Sequence, residues 1–170
     1  GRFIPAALHA EHLDAALAAL PAQHSSGTRI GLVGSPLADT ATYAMIERFG
    51  RIACDLQPWG QVWPGPAVTA PDIDAVLAAE AANPFCTRIS PSNLYRQALV
   101  DTLVAARCDL VVCQLSQTDD TFGWEIPSLT ADLAARGIGF VDLGFRDPES
   151  DAAWLDAAGA KIAQALESRS

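Results

Sequence analysis

Two carboxylates stand side by side at Asp119 and Asp120, directly after the most apolar run of the chain. Adjacent like charges raise one another's proton affinity, so such a pair can act as a base or hold a metal ion. A solvated loop that starts the next helix is the competing account. Gly34-Ser35-Pro36 lies between a strand-like run and a helical stretch, where unpaired backbone N–H groups favour an anion. It has neither the GxGxxG spacing of a dinucleotide loop nor the GK[ST] ending of a P-loop, and a tight turn without a ligand is the alternative. The four cysteines, Cys54, Cys86, Cys108 and Cys113, form no CxxC pair, the usual spacing of a structural zinc site. Cys54, Cys108 and Cys113 fall in or beside apolar runs and read as small core hydrophobes. Cys86, within Asn83-Pro84-Phe85-Cys86-Thr87-Arg88, reads as a loop thiol able to act as a metal ligand. Arg88 and Arg96 offer positive charge for a phosphate or carboxylate, with ordinary ion pairs as the alternative. His9, His12 and His24 all precede residue 28, so the rest of the chain holds no Ser/His/Asp or Cys/His combination.

The elements that must position these residues follow from periodicity. Leu13, Leu17 and Leu20 recur at helical spacing over His12 to Leu20, and Pro21 ends that helix. Gln23 to Gly27 reads as a linker, giving a helical arm and linker over residues 1–27 and an α/β domain over 28–170. Arg29 to Gly34 is a strand, and Thr42, Met45, Ile46 and Phe49 mark one face of a helix with Gly50 as its C-cap. Arg51 to Leu56 is a second strand, Gln57 to Pro71 is irregular, and Ile73, Val76 and Leu77 mark a short helix. Ser90-Pro91 reads as a helix start, with a Ser cap and Pro in the first turn; Tyr95, Leu99, Leu103 and Ala106 carry that helix to Cys108. Asp109 to Leu115 is a nearly continuous apolar run, the pattern of a strand buried on both faces. Leu129 and Leu133 mark a further helix closed by Gly137, and Gly139 to Leu143 forms the last strand. Trp154, Leu155, Ala158, Ile162 and Leu166 line the last helix. Strands separated by helices pair in parallel, because each crossover needs a dozen or so residues.

The predicted fold is therefore α/β: a three-layer doubly wound domain with a four-stranded parallel sheet, preceded by a helical arm. Sites in such sheets form beyond the carboxyl ends of the strands. That gathers Gly34-Ser35-Pro36, the Asp55–Gln57–Trp59 segment, Ser116 to Asp120 with Gln117, and Gly144-Phe145-Arg146.

Composition narrows the function. The chain has 170 residues, half of them hydrophobic, and a formal charge of −9 from 11 basic and 20 acidic side chains. Nucleic-acid binding relies on Lys and Arg to displace counterions, and Lys161 is the only lysine, so no nucleic-acid partner is expected. No apolar run approaches the roughly 20 residues of a membrane-spanning helix. The unpaired cysteine pattern and the lack of a secretory signal point to a reducing, cytoplasmic compartment. Gly1 in place of a methionine and the connector-like first segment read as a piece of a longer chain.

In order and spacing these segments resemble the C-terminal half of subunits of the 2-hydroxyacyl-CoA dehydratase / benzoyl-CoA reductase family, from about Phe3 to Leu166. The resemblance is carried by Arg29 to Pro36, then Ile46-Glu47-Arg48-Phe49-Gly50 leading to Cys54-Asp55. It continues through Cys86 to Arg96, Cys108-Asp109-Leu110-Val111-Val112, Pro127, and Gly137-Ile138-Gly139-Phe140. It implies a heterodimer of related subunits, a 4Fe–4S cluster held by three cysteines per subunit, and a separate ATP-dependent activator that injects one electron. The activity implied is radical dehydration, or reduction, of an acyl-CoA thioester. By position the resemblance assigns Ser35, Pro36, Arg96 and Gln117 to the substrate, with Cys86 near the site as a second metal-ligand candidate. The cluster-ligand position in the loop after the central strand is Asp119 rather than a cysteine, and Cys113 lies six residues too early. Gln57-Pro58-Trp59 likewise stands where the family has a cysteine-containing turn. The alternative reading is a cluster-free binding or scaffold homologue that pairs with a related subunit, with the Trp59 to Trp63 segment as a contact surface.

Overall fold

A computed structural model of the chain describes residues 5–19, 27–37, 39–58, 60, 72–85, 91–146 and 151–169. Its elements run α1 (Ala6–Ala19), β1 (Arg29–Gly34), α2 (Thr40–Glu47), β2 (Arg51–Asp55), α3 (Ile73–Ala81), α4 (Ser92–Ala105), β3 (Leu110–Ser116), α5 (Asp120–Gly123), α6 (Ile126–Ala134), β4 (Gly139–Arg146) and α7 (Ala152–Glu167). The four strands form one all-parallel sheet in the order β2-β1-β3-β4.

The most apolar strand takes a central place. In β3 six of seven residues are buried, as expected for a strand covered on both faces. Alternation then sorts its side chains. Val111, Cys113 and Leu115 join Val33 of β1 under Leu99, Leu103, Leu129 and Leu133 of α4 and α6. Leu110 and Val112 join Ile30 and Leu32 under Met45 and Ile46 of α2 and Ala158 and Ile162 of α7. The sheet is thus the middle of three layers. Each fully buried leucine among these contributes on the order of 2 kcal/mol from removal from water.

Helix starts depend on aspartates. Asp39, Asp72, Asp119 and Asp151 cap α2, α3, α5 and α7, each accepting from a backbone N–H three residues on. α4 departs from the sequence expectation of a Ser cap followed by a first-turn Pro. Pro91 itself is the N-cap, and no side chain caps the helix; the Pro91 carbonyl accepts from the backbone N–H groups of Leu94 at 3.0 Å and Tyr95 at 3.1 Å. Ser90 lies outside the described residues, as do Cys86, Arg88, Trp59, Trp63, the helix end at Leu20 and Pro21, and residues 23–26 of the linker.

Two glycines behave differently from the sequence reading. Gly50 does not close α2: Arg48 is the C-cap, and Gly50 lacks a positive φ. A Cβ there would overlap the Thr28 carbonyl oxygen, so Gly50 serves a close backbone approach. Gly144 does not end β4 either. It takes a φ of 84° beside a register irregularity opposite Cys113 and Leu115. That bulge carries the strand on through Phe145 to Arg146, so these two belong to the sheet and not to a loop. Gly137 does close its helix, at a φ of 73°.

α3 forms where apolar spacing places it, and α1 begins at Ala6, six residues before the expected start at His12; both leave their apolar spacing uncovered. Leu13 and Leu17 of α1 are 51% and 65% exposed, and Ile73 and Leu77 of α3 are 68% and 58% exposed.

Candidate functional site at the carboxyl ends of the strands

From β1 the chain passes through α2 to β2 on one side, then returns through α3 and α4 to β3 on the other side of β1. The connections leaving β1 and β3 therefore diverge, and a crevice opens between them at the carboxyl ends of these strands. Helices in parallel α/β units run back against the strands, so the first turn of α4 begins at this same end.

The floor of the crevice is a hydrogen-bonded link between β1 and β3. The Ser35 backbone N–H donates to the Gln114 carbonyl at 2.8 Å. Its Oγ donates to Asp119 Oδ2 at 2.7 Å and accepts from the Ser116 backbone N–H at 2.8 Å. Asp119 Oδ1 accepts from the Phe122 N–H at 3.4 Å as the cap of α5. Ser35 is buried with its hydroxyl occupied on both sides. Gly34 makes the approach possible: its φ is 99°, and a Cβ would overlap the Gln114 carbonyl oxygen.

Above this floor lies a cavity of about 360 Å³ lined by Gly34, Pro58, Ser92, Tyr95, Asp119, Thr121, Phe122 and Glu125, within the size range of small-molecule sites. Ser92 and Tyr95 stand three residues apart on one face of α4, which points both into the crevice. The Tyr95 ring meets Phe85 and Phe122 edge-on, each with centroids 6.2 Å apart. Among the described residues its hydroxyl has no hydrogen-bond partner. Burial first, then the charges of Asp119, Cys113 and Glu125, push this phenol up to about 12, so it is a neutral donor at physiological pH.

The expected site residues fall into distinct places. Asp119 lines the cavity, whereas Ser35 lies behind it. Pro36 and Gln117 are exposed and are not among the lining residues; the Gln117 backbone N–H donates to the Arg146 carbonyl at 3.2 Å. Arg96 is paired with Glu125 at 2.8 Å and Asp132 at 2.9 Å, and these bonds hold its guanidinium more firmly protonated. Arg146 is buried over the Trp154 ring at 4.3 Å and paired with Asp39 at 3.2 Å. At the end of β2, Tyr43 donates to Asp55 Oδ2 at 2.9 Å. Gln57 is buried, donating to the Val33 carbonyl at 3.4 Å, and its Oε1 has no partner among the described residues. Ser92, Tyr95, Thr121, Phe122 and Glu125 are lining residues that sequence reasoning passes over. The available signal was topological, since the first turn of α4 must begin at the carboxyl ends of the strands.

Among the described residues lining the cavity the acidic donors are Asp119 and Glu125, and none of the lining residues is a cysteine. Both oxygens of Asp119 are engaged within the chain. Cys113 is fully buried beneath Gly34, where burial pushes its thiol well above the ordinary range. Cys54 and Cys108 are buried in the sheet core, their thiols raised to about 11 and about 12 chiefly by burial. Among the described residues no three His, Cys, Asp or Glu side chains gather as a metal-holding group, and no described helix is long and apolar enough to cross a membrane. The chain matches no protein-family model and no curated protein sequence.

Proposed function

We propose that this chain is a cluster-free, ligand-binding homologue of the 2-hydroxyacyl-CoA dehydratase / benzoyl-CoA reductase subunits. It pairs with a related subunit in the cytoplasm and takes the acyl end of a CoA thioester into the cavity between β1 and β3. The observation that carries this reading is the Ser35–Asp119 hydrogen bond. At the position where the resembled family supplies a cluster thiolate, this chain has a carboxylate that ties β3 to β1 and starts α5. The cavity above that link is of small-molecule size and has no lining cation among the described residues, which favours the acyl group over the phosphates of CoA.

The runner-up reading is an enzyme component that carries a 4Fe–4S cluster and depends on the ATP-driven activator for radical dehydration or reduction. It is favoured by Asp119 lining the cavity, but it requires that carboxylate to give up Ser35 or Phe122, and thiolate suits iron better. Anaerobic expression with a candidate partner subunit, followed by assay of iron and acid-labile sulfide, separates the two. Folded material that binds an acyl-CoA and the partner without iron is the expected result. Iron and sulfide near 4Fe–4S stoichiometry in this chain would overturn the cluster-free reading.

A further inference from the structure

Among the described residues lining the cavity, Tyr95 carries a hydroxyl without a hydrogen-bond partner on a side chain held in place by its neighbours. The Tyr95 ring is held between Phe85 and Phe122, so its hydroxyl loses little freedom when a ligand arrives. Ser35, by contrast, has its hydroxyl saturated. Among the described residues the charged side chains lining the cavity are of one sign, Asp119 and Glu125, and the nearby Arg96 is paired with both Glu125 and Asp132. Asp119 has no ion-pair partner among the described residues.

We infer that Tyr95 is the residue that selects the ligand of this cavity, donating to an uncharged oxygen of the acyl group, while Asp119 turns away acyl chains that end in a carboxylate. The inference rests on the acyl-thioester reading above and narrows it to acyl groups without a second negative charge. A neutral phenol gives an oxygen acceptor one good hydrogen bond. A ligand carboxylate would also accept it, but would share the cavity with the Asp119 carboxylate, which has no ion-pair partner among the described residues, and like charges repel there.

Calorimetric titration of the whole chain with pentanoyl-CoA and glutaryl-CoA tests this, because the two acyl groups have the same number of carbons and differ in a terminal methyl or carboxylate. Pentanoyl-CoA is expected to bind at least about tenfold more tightly. Tyr95→Phe should weaken pentanoyl-CoA binding about three- to tenfold, the worth of one hydrogen bond. Its urea midpoint should stay at the wild-type value, since the ring contacts remain and the hydroxyl has no protein partner. Asp119→Asn should narrow the preference between the two thioesters. Equal binding of both, or wild-type affinity in Tyr95→Phe, would overturn the inference and leave the acyl-thioester reading standing. Failure of both thioesters to bind the wild-type chain would overturn the two together.

Discussion

Ser35 and Tyr95 carry the same functional group to opposite ends. The Ser35 hydroxyl is buried, donates to Asp119 and accepts from the Ser116 backbone, so it holds the floor of the crevice and cannot reach a ligand. Removing it strands one carboxylate oxygen and one backbone N–H in a place with little water, and each such loss costs about 1–3 kcal/mol. Ser35→Ala should therefore lower the unfolding free energy by about 2–4 kcal/mol in a urea titration; a change under about 0.5 kcal/mol would mean that water replaces the hydroxyl fully. Arg96 is the contrasting charged case. Its two ion pairs brace α4 against the α5–α6 segment but face solvent, where such pairs are worth about 0–1 kcal/mol. Arg96→Ala should accordingly cost about 1 kcal/mol or less by the same measurement.

At the scale of elements, the crevice exists because β1 ends in a residue without a side chain. Gly34 adopts a φ that other residues rarely take and sits against the Gln114 carbonyl of β3. An alanine there must push β1 and β3 apart as well as bear the backbone strain. Gly34→Ala should destabilise by more than about 2 kcal/mol. Gly137→Ala has a similarly unfavourable φ but open space around it, so it should cost only about 1–2 kcal/mol, a ranking that paired urea titrations check. The strands and helices were legible because burial leaves a period: the Asp109–Leu115 run and the Leu129/Leu133 and Ala158/Ile162 spacings have no other use. The crevice location followed from parallel pairing alone. What periodicity does not encode is local geometry. It does not say that Gly144 forms a bulge within β4 rather than its end, or that α4 starts at Pro91 without a side-chain cap. Tyr95 reads as one more core residue of α4 because spacing tells which face it occupies, not that the first turn of that face lies over an open cavity.

For the molecule as a whole, the two faces of the sheet are packed while α1 keeps its leucines in water, so the α/β unit does not draw on that helix for its core. A version starting at residue 28 should unfold at the same urea midpoint as the full chain. The core also sets a limit at high pH. Burial first, then the neighbouring Asp55, raises Tyr43 to about 12, and Tyr95 stands at about the same value. Cys54 and Cys108 are raised to about 11 and about 12. Their ordinary values are 9.0 for the thiols and 10.0 for the phenols. Between those values and the raised ones, the unfolded chain has released protons that the folded chain still holds. Unfolding then gains free energy with each step in pH, and stability falls. Below pH 9 these four groups are protonated in both states, and their stabilising effect is fully present. The urea midpoint should thus begin to fall near pH 9 as the unfolded thiols ionise, and fall more steeply past pH 10 as the unfolded tyrosines join them. Tyr43→Phe combined with Tyr95→Phe should remove the second, steeper part and leave the first. A midpoint that stays constant from pH 8.5 to 11 would mean that these side chains reach water in the folded protein, and that the packing around both faces of the sheet is looser than described.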